Sequence, residues 1–368
     1  MLQIYNPSID KYTSSAKKAI DSGWISNHGE FVEKATNKLN EVLNSKYSIL
    51  MSNGTCATHC LFLSLKKFHP EVNTVYIPNN AYVAAWNSAL CVYNPESLKV
   101  MKMDENTWNV CTSEETINSL EYGAAVLIVH NLGNIINVPR LKKIRPDLIF
   151  VEDNCEGLFG KYNDVYSGTG EHVFCSSISF YGNKVITTGE GGAFLTNNEE
   201  VYNYIKGVYS QGMSSIKYLH NVHAYNYRMT NIQAAFLYDQ LNDIDFILDN
   251  KKEIFSRYFK LCESLIESDK IRVFKKEENT ENACWIFSIR ILNNTKSINE
   301  TMDFFKERGI DVRPFFYPIH MHTHLNYFIN EDPVSYNLNK EILMIPSSPD
   351  ITIEEQEKVI EAVRTFVQ

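Results

Sequence analysis

The stretch Ser179-Phe180-Tyr181-Gly182-Asn183-Lys184-Val185-Ile186-Thr187-Thr188-Gly189-Glu190-Gly191-Gly192 decides how this chain is read. It sets one lysine in a turn rich in serine and glycine. Upstream, the apolar run Asp147-Leu148-Ile149-Phe150-Val151 ends in Glu152-Asp153, so a carboxylate closes what reads as a buried strand. A lysine amine can bond covalently to an aldehyde, and a carboxylate can pair with a protonated pyridine nitrogen. Pyridoxal 5'-phosphate (PLP) needs both, because its ring accepts electrons well only while that nitrogen keeps its proton. A lysine alone on a glycine-rich loop reads as a solvated surface group. Lys184 taken with Asp153, the serines and the Gly189-Glu190-Gly191-Gly192 turn reads as a cofactor site.

On either side of this stretch, short apolar runs alternate with helix-like segments through the first part of the chain. Ile49-Leu50-Met51 leads into Ser52-Asn53-Gly54-Thr55, and a helical stretch follows over Cys56 to Lys67. Thr74 to Pro78 reads as a strand before a helix over Tyr82 to Leu90. Ala124 to His130 and Leu148 to Val151 read as further strands. Alternation of this kind predicts an α/β fold with a mostly parallel sheet covered on both faces. We expect a large α/β domain over 1–245 and a smaller α+β domain over 246–368, bridged by a long helix over Asp239 to Ser264. In the second part Cys284 to Ile289 predicts a strand and Ile298 to Arg308 a helix. Thr352-Ile353-Glu354-Glu355 has the capping-box pattern that opens a final helix.

The chain has 368 residues, 44% of them hydrophobic and 21% charged, which is the balance of a soluble globular protein with room for a large core. A net charge of -9 argues against a general nucleic-acid surface, while leaving room for a local basic pocket that binds a small anion. The opening Met1-Leu2-Gln3-Ile4-Tyr5-Asn6-Pro7 lacks the basic start and apolar run of a signal peptide. No stretch is long and apolar enough to span a bilayer. The eight cysteines are scattered, and no second pair joins Cys56 and Cys60 to complete a zinc site. Reduced, buried thiols in a cytoplasmic protein are the expectation.

Several side chains point to the same cofactor. Gly54-Thr55 follows a strand and opens a helix, where free N–H groups and the helix dipole favour a phosphate. Ser179, on the Lys184 turn, can donate to that phosphate or serve only in a local turn hydrogen bond. Tyr82 lies beyond a strand end and can stack on a pyridine face or simply fill core. Glu156 falls about one helical turn past Asp153 and can face the cofactor's phenolic oxygen or solvent. Tyr225 to Ala235 is dense in polar residues, of which Thr230 or Asn231 can cap a helix. Arg313-Pro314-Phe315-Phe316-Tyr317-Pro318-Ile319-His320 is followed by His322 and His324. No carboxylate or cysteine joins those histidines, so a polar substrate loop is favoured over a metal site.

These motifs resemble the DegT/StrS family of sugar aminotransferases, a group of fold-type I PLP enzymes. The resemblance runs from Trp24-Ile25-Ser26 with Gly29 to Ile345-Pro346-Ser347, and is most specific over Ser179 to Gly192 and Asn226 to Ala235. It implies a homodimer with shared active sites. Lys184 would carry the cofactor, Asp153 would face the pyridine nitrogen, and Gly54, Thr55 and Ser179 would hold the phosphate. Asn226 would reach the phosphate of the partner's cofactor. Tyr82 would stack on the ring, and Glu156 would lie beside the phenolic oxygen, where family members often carry Gln. His28, Arg313 and His320 would approach the substrate.

The activity implied is transfer of an amino group from L-glutamate to C4 of a nucleotide-linked 4-keto-6-deoxyhexose, giving a viosamine- or perosamine-type product. Transfer to C3, dehydration of a related keto sugar, and a non-catalytic sugar-nucleotide binder are the rival readings. Family dehydratases usually carry His where this chain has Lys184, and a mere binder has no need of Lys184 with Asp153. The chain departs from the family pattern at Ala81, at His130-Asn131-Leu132-Gly133 and at His69-Pro70-Glu71-Val72-Asn73.

Overall fold

The computed structural model describes residues 1–329 and 332–368. Its largest sheet has seven strands: β1 (Tyr47–Met51), β2 (Val75–Pro78), β3 (Leu98–Met101), β4 (Ala125–Val129), β5 (Ile149–Asp153), β6 (Cys175–Ser179) and β7 (Gly192–Thr196). They lie in the order β1-β7-β6-β5-β4-β2-β3. The pairs β2–β3, β2–β4, β4–β5 and β5–β6 are parallel. Strand β7 is antiparallel to both β6 and β1, so β1 runs in the same sense as β6. Every strand except β7 therefore ends at one edge of the sheet, which is where open α/β sheets hold ligands.

Side-chain alternation explains why β4 reads as an unbroken apolar run. Val126 and Ile128 enter one apolar core, while Ala125, Leu127 and Val129 enter the core on the opposite face. A strand buried on both faces has no polar side to show. On one face the helix Gly54–Phe68 buries Ala57, Cys60, Leu61, Phe62 and Leu65. On the other, the helices Glu30–Leu43 and Asn231–Asn242 bury Ala35, Leu39, Ala234 and Leu237.

A second sheet is antiparallel and has four strands: β8 (Ile271–Arg272), β9 (Ser288–Ile291), β10 (Arg313–Pro314) and β11 (Ile342–Met344), ordered β8-β9-β11-β10. The helices Ile244–Glu267, Ile298–Glu307 and Ile353–Phe366 enclose a third core with it, around Tyr258, Phe287, Phe305 and Val359. Thr352 forms the capping box expected of it, and Thr230 with Gln233 forms another.

Two elements differ from the sequence reading. The helix expected over Asp239 to Ser264 is two helices, broken at Asp243, whose backbone leaves the helical region at φ -112° and ψ 21°. Its carboxylate accepts a hydrogen bond from the Tyr12 hydroxyl at 2.7 Å, a long-range contact that periodicity cannot reveal. The strand expected from Cys284 begins only at Ser288, because Cys284 adopts a left-handed conformation with φ 53°. Among the described residues, no helix is long and apolar enough to cross a membrane.

Candidate active site

At the edge where the parallel strands end there is a cavity of about 800 Å³. Gly54 and Thr55 reach it from the end of β1, and Ala81 and Tyr82 from beyond β2. Asp153, Cys155 and Glu156 come from the end of β5, and Ser179, Asn183 and Lys184 from the end of β6. Trp285, Arg313, Phe316, Tyr317 and His322 close it from the side of the smaller sheet.

One end of the cavity is built for an anion. The first N–H groups of a helix lack intrahelical partners and carry the positive end of its dipole. In the helix Gly54–Phe68, Asn53 Oδ1 caps the Cys56 N–H at 2.9 Å. This leaves the first turn, at Gly54 and Thr55, for a ligand. Gly54 has no room for a side chain, since a Cβ there would sit 2.8 Å from Ser179 Cβ and 3.0 Å from Cys155 Sγ. Glycine is what lets this helix terminus approach the Ser179 hydroxyl closely. Backbone donors, a helix dipole and a hydroxyl together suit a phosphate.

The Lys184 turn is pinned by residues distant in sequence. The Lys184 N–H donates to the Tyr181 carbonyl at 2.9 Å, and the Lys184 carbonyl accepts from the Tyr5 hydroxyl at 2.9 Å. The Asn183 carbonyl accepts from Trp285 Nε1 at 2.7 Å. Lys184 Nζ itself lies 3.8 Å from the centroid of the Trp285 ring, a close cation–π contact. No local pattern in the sequence links Tyr5 or Trp285 to Lys184, and neither stands out before the fold is known.

Two carboxylates share the wall with this amine. Asp153 is buried, and its Oδ1 accepts from the Cys155 N–H at 3.1 Å. Glu156 is also buried, and its Oε2 accepts from the Leu132 N–H at 2.8 Å. Burial pushes the Glu156 carboxyl up to about 7, against the opposing pull of Lys184 and the Leu132 N–H, with Asp153 adding to the rise. Burial likewise holds Cys155 well above the ordinary thiol range, so it stays a thiol.

Behind Asp153, the neighbouring Glu152 points to the opposite face. Its carboxylate accepts from the Tyr162 hydroxyl at 3.0 Å and meets His130 Nε2 at 3.0 Å. His130 Nδ1 accepts from the Ile136 N–H at 3.1 Å, so the ring proton sits on Nε2 and is donated to Glu152. This buried network fastens the end of β5 to the loop that presents the Leu132 N–H to Glu156. In the sequence, the unusual run His130-Asn131-Leu132-Gly133 is its one sign.

Other residues named from the sequence are distributed differently. Tyr82 stands at the mouth, 62% exposed, with its ring edge-on to Phe316 at 6.2 Å. Arg313 lines the cavity and pairs with Asp311. His320 does not line it. Its ring bonds the Tyr336 hydroxyl, and His322 takes the place on the cavity wall. His28 lies apart, in a surface groove with Trp24 and Asn231. Asn226 is exposed, and its Oδ1 accepts from Arg228 Nε at 3.0 Å. Among the described residues, no group of His, Cys, Asp and Glu is placed to hold a metal ion.

An anion cradle, an amine and two buried carboxyls around one cavity fit a phosphorylated pyridine carrying an aldehyde and a phenolic oxygen. Comparison with known proteins agrees. The profile of the DegT/DnrJ/EryC1/StrS aminotransferase family matches residues 8–364. GDP-perosamine synthase of Escherichia coli O157:H7 is 30% identical over 99% of this chain and 98% of its own length. The GDP-perosamine synthase of Vibrio cholerae is 30% identical over 100% of this chain and 99% of its own. Among solved structures, the Helicobacter pylori aminotransferase PseC superposes with a TM-score of 0.89 at 19% identity, over 99% of this chain and 98% of that one. The Escherichia coli GDP-4-keto-6-deoxy-D-mannose-3-dehydratase with bound hydrated PLP superposes at 0.87 and 19% identity, over 100% and 99%. These structural likenesses speak for the fold. The chain belongs to the DegT/DnrJ/EryC1/StrS aminotransferase family and is a PLP-dependent aminotransferase.

Proposed function

We propose that this enzyme moves an amino group from L-glutamate to C4 of a nucleotide-linked 4-keto-6-deoxyhexose, giving a 4-amino-4,6-dideoxy sugar nucleotide of the perosamine or viosamine type. The observation that carries this reading is the shared wall of one cavity, where Lys184, Asp153 and Glu156 stand beside the Gly54–Ser179 cradle. Likeness to two GDP-perosamine synthases, each 30% identical, supports the sugar-nucleotide substrate.

When bound, PLP supplies an electron-accepting ring through which the amino group passes from donor to acceptor. Gly54, Thr55 and Ser179 hold its phosphate. Asp153, fixed by the Cys155 N–H, keeps the proton on the ring nitrogen. Lys184 would carry the cofactor at rest and, as a free amine, would move the proton between the cofactor carbon and the sugar C4. Glu156, its carboxyl raised by burial to about 7, can hold a proton for the phenolic oxygen. Tyr82, at the mouth, covers the ring face and keeps water from it. Arg313 meets the anionic sugar nucleotide from the smaller sheet, and His320 acts there only if its ring leaves Tyr336.

The active unit in this reading is a homodimer. The segment that carries Asn226 also exposes Met213, Ile216, Tyr218, Leu219 and Val222. Exposed apolar side chains grouped on one segment invite a second copy. Asn226 would then serve the partner's phosphate, and His28 the partner's substrate. The free cysteines, unpaired among the described residues, support a reducing, cytoplasmic setting.

The test is direct. The PLP-loaded enzyme is incubated with L-glutamate and, in turn, with the 4-keto-6-deoxyhexoses linked to UDP, GDP and dTDP. One nucleotide should yield a C4-amino sugar with one 2-oxoglutarate per turnover. Amination at C3, loss of the C3 hydroxyl, or no product from any of the three would overturn the reading.

A further inference from the structure

Lys251 is the most unusual charged residue outside the cavity. It lies in the helix Ile244–Glu267, is fully buried, and has no carboxylate partner among the described residues. Its Nζ donates instead to two main-chain carbonyls, of Trp285 at 3.0 Å and Ser347 at 2.6 Å. It also faces the Tyr5 ring, 5.1 Å from the centroid, and the Phe255 ring at 5.7 Å. A buried lysine is costly unless its donors are satisfied. Burial has lowered the Lys251 ammonium to about 7, and either protonation state keeps the two N–H donors that these carbonyls need.

Both residues that Lys251 touches nearest the site also hold the Lys184 turn. Trp285 donates its indole N–H to the Asn183 carbonyl and lays its ring under Lys184 Nζ. Tyr5 donates its hydroxyl to the Lys184 carbonyl. Ser347 completes the clamp, since its hydroxyl accepts from the Phe287 N–H and its own N–H donates to the Ile4 carbonyl. One buried amine thus ties together the segment before Tyr5, the turn that bears Trp285, and the loop at Ser347.

We propose that Lys251 is a positioning residue for the Lys184 amine, acting through Trp285 and Tyr5. The proposal rests on the reading that Lys184 carries the cofactor, so its test measures the placement of Lys184 separately from turnover. In the full chain stripped of cofactor with hydroxylamine, acetylation of Lys184 is compared by peptide mass spectrometry with that of the exposed Lys46. Lys251→Met should change that ratio by about 3-fold or more, the scale on which a fraction of a kilocalorie registers. In the PLP-loaded enzyme it should lower kcat by about 10-fold or more with KM for both substrates nearly constant, as misplacement of a reacting group does. Lys251→Arg, which keeps donors for both carbonyls, should restore both quantities.

A folded Lys251→Met protein with Lys184 acetylation and kcat as in the wild type overturns the proposal, even if its melting temperature falls. Should Lys251→Met fail to fold, Trp285→Phe decides. It removes the indole N–H from Asn183 and must shift Lys184 acetylation in the same sense, and no shift refutes the relay. Altered acetylation in an enzyme that transfers no amino group would leave the positioning role standing and sink the proposed function alone.

Discussion

Replacing Glu156 by Gln should relieve a pH-dependent loss of stability in the cofactor-free chain. Glu156 is buried, and burial raises its carboxyl from the ordinary 4.5 to about 7. The folded state therefore binds this proton more tightly than the unfolded state does. The stabilisation it brings is complete below about 4.5 and drains away as pH rises toward about 7. A tenfold difference in proton affinity is worth about 1.4 kcal/mol, so the wild-type chain should lose about 2.5 kcal/mol between pH 5 and pH 8 from this group. Glu156→Gln preserves the oxygen that accepts the Leu132 N–H and has no proton to lose. Urea unfolding of both cofactor-free proteins at pH 5 and pH 8 measures the difference directly. The variant should lose less stability than the wild type across that interval by about 2 kcal/mol or more. Parallel losses in the two proteins would refute the assignment of Glu156 as a buried acid that titrates near neutrality.

Three further outcomes follow from the cavity. Asp153→Asn should lower kcat by about 10²-fold with little change in fold, the scale of a removed electrostatic contribution, as read from steady-state kinetics and circular dichroism. Gly54→Ala places a Cβ 2.8 Å from that of Ser179, so equilibrium dialysis should find PLP bound at least about 10-fold more weakly, a loss of about 1.4 kcal/mol. Asn226→Ala should weaken PLP retention by about 1.5–3 kcal/mol if its amide serves the partner's phosphate. Mixed with Lys184→Ala subunits, it should then regain activity above either parent, because one site of each mixed dimer escapes both lesions.

What could be read from the sequence is what is local. Gly54 before a helix, Asp153 ending an apolar run, and Lys184 in a glycine-rich turn each announce themselves within a few residues. The sheet was legible for the same reason, since β4, and β5 as far as Val151, are apolar on both faces. Contacts between distant segments were not. Trp285 under Lys184, Tyr5 on its carbonyl and Lys251 behind both come from three separate parts of the chain. The helix break at Asp243 depends on Tyr12, and the turn of His320 away from the cavity depends on Tyr336. In each case a tertiary partner decided a conformation that local spacing left open.

In the proposed function, Lys184 holds PLP in the cavity at the ends of β1, β5 and β6. Sodium borohydride reduction of the PLP-loaded enzyme, followed by proteolysis and mass spectrometry of the peptides, tests it most directly. One phosphopyridoxyl group per chain is expected, attached at Lys184, and none in the Lys184→Ala protein. Attachment at Lys251 or any other lysine, or unchanged labelling of Lys184→Ala, would contradict it.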